Sequence, residues 1–450
     1  MKSADVIVVG GGVAGLCAAV DLAGRGARVM VLEAKALLGG RATAFTDPQT
    51  GERVDNGQHV ILGCYHETFA FLRQIGTEDR VAVQSGLEIA FVDGQGERSR
   101  LRLPGMPPPL NLVGGLLDWS AIGWRDRMAA MRMVEPVRIA KSELKARIRG
   151  ETPRRIAASP GETVDQWLTN NGQTARIKEM LWQPLALAAL NQSVSEAAAP
   201  PFAAVLAQMF GESPRDAALA LPRCPLDELF AEPARRYIED RGGEVKIGSP
   251  ARIHLNGGLV AHVEARQERF QAGAVVAAVP WYSLPDLFAG DLAPVDGLRK
   301  AAAATEPSPI VSVNLWLSGP ILQTPFLGLP GRTMQWVFDK AQMFGSGSHI
   351  TMVSSGAGTS MSLENEEVIS GALRELRDAL PESRETRITR ASVVRERRAT
   401  FSLAPGQPKR PATRTNVEGL VLAGDWIETG LPATIEGAAI SGRRAAEAIS

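Results

Sequence analysis

The sequence predicts an α/β fold: a Rossmann-type dinucleotide-binding core joined to a second part made of a mixed sheet and helices. Three observations carry this. Val6-Ile7-Val8-Val9 runs into Gly10-Gly11-Gly12-Val13-Ala14-Gly15 and then into an alanine- and leucine-rich stretch, which is the order strand, glycine turn, helix. Further apolar runs at 274–279 and 420–422 have the composition of buried parallel strands. Shorter runs at 88–92, 310–317, 334–338 and 350–354 fit a separate mixed sheet. With 450 residues, 45% of them hydrophobic, the chain can fill two or three domain-sized units.

Each part of the first forty residues has a physical reason. Gly10 permits a tight turn, Gly12 has no side chain to obstruct a pyrophosphate, and Gly15 lets helix and strand approach closely. Leu16 to Ala23 reads as the helix, whose free N–H groups and partial positive charge face the phosphate. Arg28 to Leu32 reads as the second strand. It is closed by Glu33, 21 residues beyond Gly12, a carboxylate placed for a ribose hydroxyl. This element alone does not choose between dinucleotides. Gly39-Gly40-Arg41-Ala42 adds backbone N–H groups and a fixed positive charge for a phosphate. Leu420 to Asp425 is a strand ending in Gly424-Asp425, followed by a glycine-bounded loop and a helix over 438–449. That closure of a Rossmann core is the one flavoproteins use.

These stretches together resemble the amine oxidase/phytoene desaturase superfamily of FAD enzymes. Three longer ones, 54–65 (VDNGQHVILGCY), 182–191 (WQPLALAALN) and 424–437 (GDWIETGLPATIEG), resemble more narrowly the hydroxysqualene dehydroxylases of hopanoid pathways. The resemblance runs over essentially the whole chain. It implies a flavin amine oxidase-like fold with FAD held by Gly10, Gly12, Val13, Ala14, Gly15, Glu33, Ala34, Gly40, Arg41, Ala42, Gly57, Gln58, His59, Ala251, Gly424, Asp425, Ala433, Thr434 and Ile435. It implies a C30 isoprenoid substrate, hydroxysqualene, which would lose its allylic hydroxyl as water and take a hydride from reduced flavin. His59 and Asp55, in the segment beside the flavin, are the candidate proton donors, with Glu428 and Glu436 behind them. A phytoene-type desaturase or an amine oxidase stays open as an alternative, although three tyrosines are few for an amine-binding aromatic cage. A non-catalytic prenyl-lipid carrier on the same fold is the alternative of another class. The intact glycines, Glu33, Arg41 and Asp425 speak against it.

The superfamily pattern predicts a discontinuous FAD-binding domain over 1–80, 225–285 and 415–450, with 81–224 and 286–414 facing substrate and membrane. Within the former, Leu226 to Asp240 reads as a helix. Strands follow at 244–247, 251–255 and 259–263, with a hairpin turn at Asn256-Gly257-Gly258. The second part is helical over 111–149 and 173–210, with Pro200-Pro201 breaking the latter. A single GxGxxG means that electrons are exchanged with an external donor rather than with a second bound dinucleotide.

Lys and Arg number 49, as do Asp and Glu, so a uniform positive field for nucleic acid is excluded. Charge is nevertheless segregated. The apolar stretch 110–124, with Trp119 and Trp124, follows a proline run and precedes a segment, 123–155, that holds ten basic and four acidic residues. An apolar wedge beside a basic strip suits an anionic membrane surface, so 107–155 is expected to make peripheral contact. Residues 384–414, with nine basic and two acidic residues, read as exposed strands or loop. Nothing resembles a signal peptide or spanning helix, and three scattered cysteines fit a reducing compartment. The expected location is cytoplasmic, at the inner face of the membrane. Five histidines show no metal-ligand spacing along the chain, so no metal is expected. Trp182, Trp281, Trp316, Trp336 and Trp426 are candidates for lining an apolar substrate tunnel.

Overall fold

The computed structural model describes residues 2–149, 151–345 and 347–449. An eight-stranded sheet forms the first layer. Lys2–Val9 lies at its centre, parallel to Val29–Leu32 on one side and to Glu268–Ala277 on the other. Glu244–Lys246 extends it beyond Val29–Leu32, and Leu420–Leu422 adds in parallel to Glu268–Ala277. The antiparallel meander Ala251–Asn256, Leu259–Ala265, Glu268–Ala277 completes it, with Phe288–Gly290 at the far edge. The strands expected near the N-terminus and at 420–422 are therefore present, and the run at 274–279 is the end of a longer strand.

The helix Val13–Gly24 begins directly at the glycine turn, and ten of its residues are buried. It packs against the C-terminal helix Ile435–Ile449. The contact is close because Gly442 lies against the Ala14 carbonyl, where a β-carbon would come within 2.4 Å of the oxygen. The segment 226–240 differs from a single helix. A wide π-type turn, Asp227–Ala231, precedes the α-helix Glu232–Glu239. Pro233 has no N–H for the ladder at that point, so the wide turn ends where the proline enters the first turn of the α-helix. Likewise Pro200-Pro201 opens the helix Ala199–Met209 rather than interrupting one, because a first turn needs no N–H there.

A seven-stranded mixed sheet forms the second layer, in the order Ile388–Phe401, Pro307–Leu317, His349–Ser355, Trp336–Asp339, Phe326–Gly328, Glu88–Val92, Arg98–Arg102. The helix Asn365–Ala379 covers one face through Val368, Ala372 and Leu376. The basic run 384–414 contains the longest strand of the protein, Ile388–Phe401. It is an edge strand, where exposed charge such as that of Arg397 disfavours pairing of the open side with another chain.

The apolar stretch 110–124 is not an exposed loop. Leu110–Asp118 is a helix whose Leu112 and Leu116 are buried. Trp119 is 0% exposed, packed on Phe91 at 5.6 Å between ring centres, with its Nε1 donating to Ser99 Oγ. Trp124 is 65% exposed. The two tryptophans, close together in the sequence, have opposite exposures.

Candidate active site

Two glycine turns lie on one another at the C-terminal end of the central parallel strands. Gly39 N donates to Gly11 O at 2.8 Å, and Gly12 and Gly39 form a bridge. Gly15 sits against the Gly10 carbonyl, where a β-carbon would come within 2.0 Å of the oxygen. Gly12, by contrast, looks into open space, and a β-carbon there would meet only the Gly40 Cα at 4.0 Å. The Glu33 carboxylate, buried at the end of Val29–Leu32, accepts from Gly11 N at 2.6 Å and Lys35 N at 2.8 Å. It braces the turn while remaining at the tip of the strand, where a ribose hydroxyl is bound in this fold.

The far end of the site is built from the two ends of the chain. Arg41 donates to Asp425 Oδ1 at 2.5 Å and to the Ala399 carbonyl at 2.7 Å, and its guanidinium lies over the Trp281 ring. Gly424 N donates to Ser441 Oγ, and Trp426 Nε1 to the Val279 carbonyl. Gly424-Asp425 is thereby fixed beside the end of Glu268–Ala277. Thr43 Oγ1, just past Gly40-Arg41-Ala42, is buried with no hydrogen-bond partner among the described residues. An orphaned hydroxyl beside an open glycine cradle fits a phosphate-bearing ligand. A dinucleotide stretched from Glu33 past Gly12 to Arg41 and Asp425 accounts for these features. Ala251 opens the strand Ala251–Asn256, beside the Ser249 N–H that donates to the Glu33 carbonyl.

The segment 54–59 departs from what its composition suggests. Asp55 accepts from Lys340 Nζ at 2.9 Å and from Leu226 N at 3.1 Å. Lys340 also donates to Gln58 Oε1. Both charged side chains are almost fully buried, at 3% and 2% exposure. Asp55 is thus one half of an internal ion pair that ties the segment 54–59 to the end of Trp336–Asp339 in the other sheet. Neighbouring contacts do the same, with Asp47 to Arg390 at 2.8 Å and Glu52 to Trp316 Nε1 at 2.8 Å. Lys340 was missed in the sequence, and only its arrival beside Asp55, 285 positions away, marks it.

His59 Nδ1 lies 3.0 Å from the Gly57 carbonyl, which can only accept, so in the neutral ring the hydrogen is on Nδ1. Burial holds its pKa below the ordinary histidine value, with Arg41 and Lys340 adding to that against Gly57 and Asp55. Glu436 accepts from Glu67 N, Thr68 N and Thr68 Oγ, capping the helix His66–Ile75 from another element. Burial raises its pKa. Glu428 pairs with Arg410 at 3.0 Å. These two carboxylates hold structure together. Ala433 and Thr434 precede the helix Ile435–Ile449, and Thr434 Oγ1 accepts from Gly437 N in its first turn. Trp281 is fully buried, edge-on to Tyr282 at 5.0 Å and to Phe401 at 6.1 Å, and forms an apolar wall next to Arg41. Trp182 is buried with its Nε1 on Gln173, a packing position remote from this wall in its contacts.

The chain is 29% identical to a hydroxysqualene dehydroxylase of Sinorhizobium fredii, over 98% of this chain and 97% of that one. It is 25% identical to a 15-cis-phytoene desaturase of Solanum lycopersicum, over all of this chain and 78% of that one. The fold is that of an oxidoreductase from Methanosarcina mazei, with a TM-score of 0.72 at 17% identity, covering 99% of this chain and 100% of that one. Fold and site define an oxidoreductase that uses FAD. The chain belongs to the flavin containing amine oxidoreductase family, whose model matches residues 13–450.

Proposed function

We propose that the protein converts hydroxysqualene to squalene. The observation that carries this reading is the end-to-end similarity to a hydroxysqualene dehydroxylase, which leaves almost none of either chain unmatched. Departure of the protonated allylic hydroxyl as water would leave an allylic cation, and FAD held by residues such as Gly12, Arg41 and Asp425 would supply the hydride that makes squalene. The protein excludes water from the cation and directs the chain. The wall of Trp281, Tyr282 and Phe401 beside Arg41 supplies an apolar, aromatic surface for both. Asp55, committed to Lys340 and Leu226 N–H, acts as a positioning residue for the Gly57-Gln58-His59 loop. His59 stays the nearer candidate for handling the proton. It can donate from Nε2 only after it is itself protonated, against burial. Electrons come from an external donor.

The test is anaerobic. Photoreduced enzyme mixed with hydroxysqualene is expected to regain the oxidised flavin spectrum as squalene accumulates. Failure to reoxidise, together with dehydrogenation of a carotenoid precursor by the oxidised enzyme, would transfer the assignment to a desaturase.

A lipid substrate of this kind resides in a membrane, and the surface around 106–156 suits contact with an anionic one. No helix among the described residues is long and apolar enough to cross a membrane. Leu110, Leu117, Trp124, Met128 and Ile156 are exposed, and basic residues flank them. In this reading the protein docks peripherally on the inner face of the membrane. The pair Trp124→Ser with Leu117→Ser is expected to lower binding to vesicles containing phosphatidylserine several-fold, while the FAD content stays unchanged. Unaltered vesicle binding would remove this surface from the docking assignment. Trp119 is the wrong probe, since truncating a buried tryptophan costs about 3–5 kcal/mol of stability.

A further inference from the structure

The hairpin at the meander end of the first sheet carries a polar cluster that the flavin site does not use. His254 and His262 are directly opposite on Ala251–Asn256 and Leu259–Ala265. Their rings stack at 4.2 Å between centres, 12° from parallel. Glu264, two residues along the second strand on the same face, has its Oε2 3.5 Å from His254 Nε2. One ligand atom from each residue falls within 4.8 Å of the others. His262 Nε2 is buried and has no hydrogen-bond partner among the described residues.

A β-bulge creates this arrangement. Asn256 pairs with Leu259 and Leu255 with Val260, but the register then shifts, and His254 pairs with His262 instead of Ala261. Without that extra residue the two imidazoles would project from opposite faces of the hairpin.

We propose that His254, His262 and Glu264 bind a divalent cation of the zinc class. Two imidazoles and a carboxylate are a standard donor set for zinc, with the fourth position left to water. Nitrogen and oxygen ligands about 2.0–2.1 Å from a tetrahedral ion stand about 3.3 Å apart. The present spread therefore closes by tilting the half-exposed side chains, with no movement of the strands. The unpartnered His262 Nε2 would gain a partner. Arg252 and Arg269 lie opposite Glu264 on the two neighbouring strands. They compete for its carboxylate, so the histidines carry most of the affinity. A bound ion would staple the hairpin across its bulge, three residues from Ala251 on the flavin-domain sheet.

The test uses the intact flavoprotein after chelator treatment. Calorimetry with zinc chloride is expected to show one equivalent bound. Cobalt(II) in its place should give visible bands characteristic of tetrahedral coordination, to the red of the flavin. His254→Ala and His262→Ala should each abolish uptake, and Glu264→Gln should weaken it, while flavin absorbance per protein reports that each variant is folded. Should either histidine variant fail to fold, Glu264→Gln alone decides. No zinc uptake by the wild-type protein, or uptake unaltered in the folded variants, overturns the site.

Discussion

Gly12→Ala is expected to yield a folded protein that binds FAD far more weakly. Gly12 has φ −76° and ψ 175°, an extended backbone that alanine adopts without strain. Its β-carbon would meet only the Gly40 Cα, at ordinary contact distance. The added methyl therefore costs the polypeptide little and occupies the space through which a pyrophosphate reaches the backbone. Losing about two charge-assisted hydrogen bonds, each ~1.5–3 kcal/mol, weakens binding by about two orders of magnitude or more. Gly15→Ala gives a different result, because its β-carbon would be driven to 2.0 Å from the Gly10 oxygen. That variant is expected to be insoluble or destabilised before cofactor binding is at issue. Circular dichroism and the ratio of flavin to protein absorbance separate the two. A yellow Gly12→Ala protein with full flavin content would refute the placement of the pyrophosphate at this turn.

Lys340→Met is expected to be strongly destabilising. It leaves the Asp55 carboxylate buried with only the Leu226 N–H and deprives Gln58 of its donor. Breaking a buried pair from one side costs about 3–5 kcal/mol, because the remaining charge is uncompensated. The double variant Lys340→Met with Asp55→Leu removes both charges and should recover much of that loss. Thermal unfolding of the holoproteins reads the cycle. The flavin absorption band reads it independently, since Gln58 and His59 belong to the same loop. A single variant as stable as wild type would show that Asp55 reaches solvent or another cation.

The flavin core was legible because its signals are contiguous. Strand, glycine turn, helix and acid fall within residues 6–33, and their spacing is set by backbone geometry alone. The strand Glu88–Val92 was likewise readable from local pattern. The edge strand Ile388–Phe401 was harder to read. Its arginines look like a solvated loop until pairing with Pro307–Leu317 fixes one side of it. The apolar stretch 110–124 was only partly legible for a related reason. Composition reports that apolar surface exists, but not which side of a helix meets Phe91.

The sequence by itself determined the fold class, FAD as the cofactor and the family. All rest on short segments whose conformations follow from residues close together in the chain. Tertiary structure alone decided the pairs Arg41 with Asp425, Asp55 with Lys340 and His254 with His262, and the opposite exposures of Trp119 and Trp124. Two of those pairs join residues hundreds of positions apart, and the third depends on one bulged residue in a hairpin. Side-chain partnership is a matter of packing and register, and neither leaves a local signal in the order of residues.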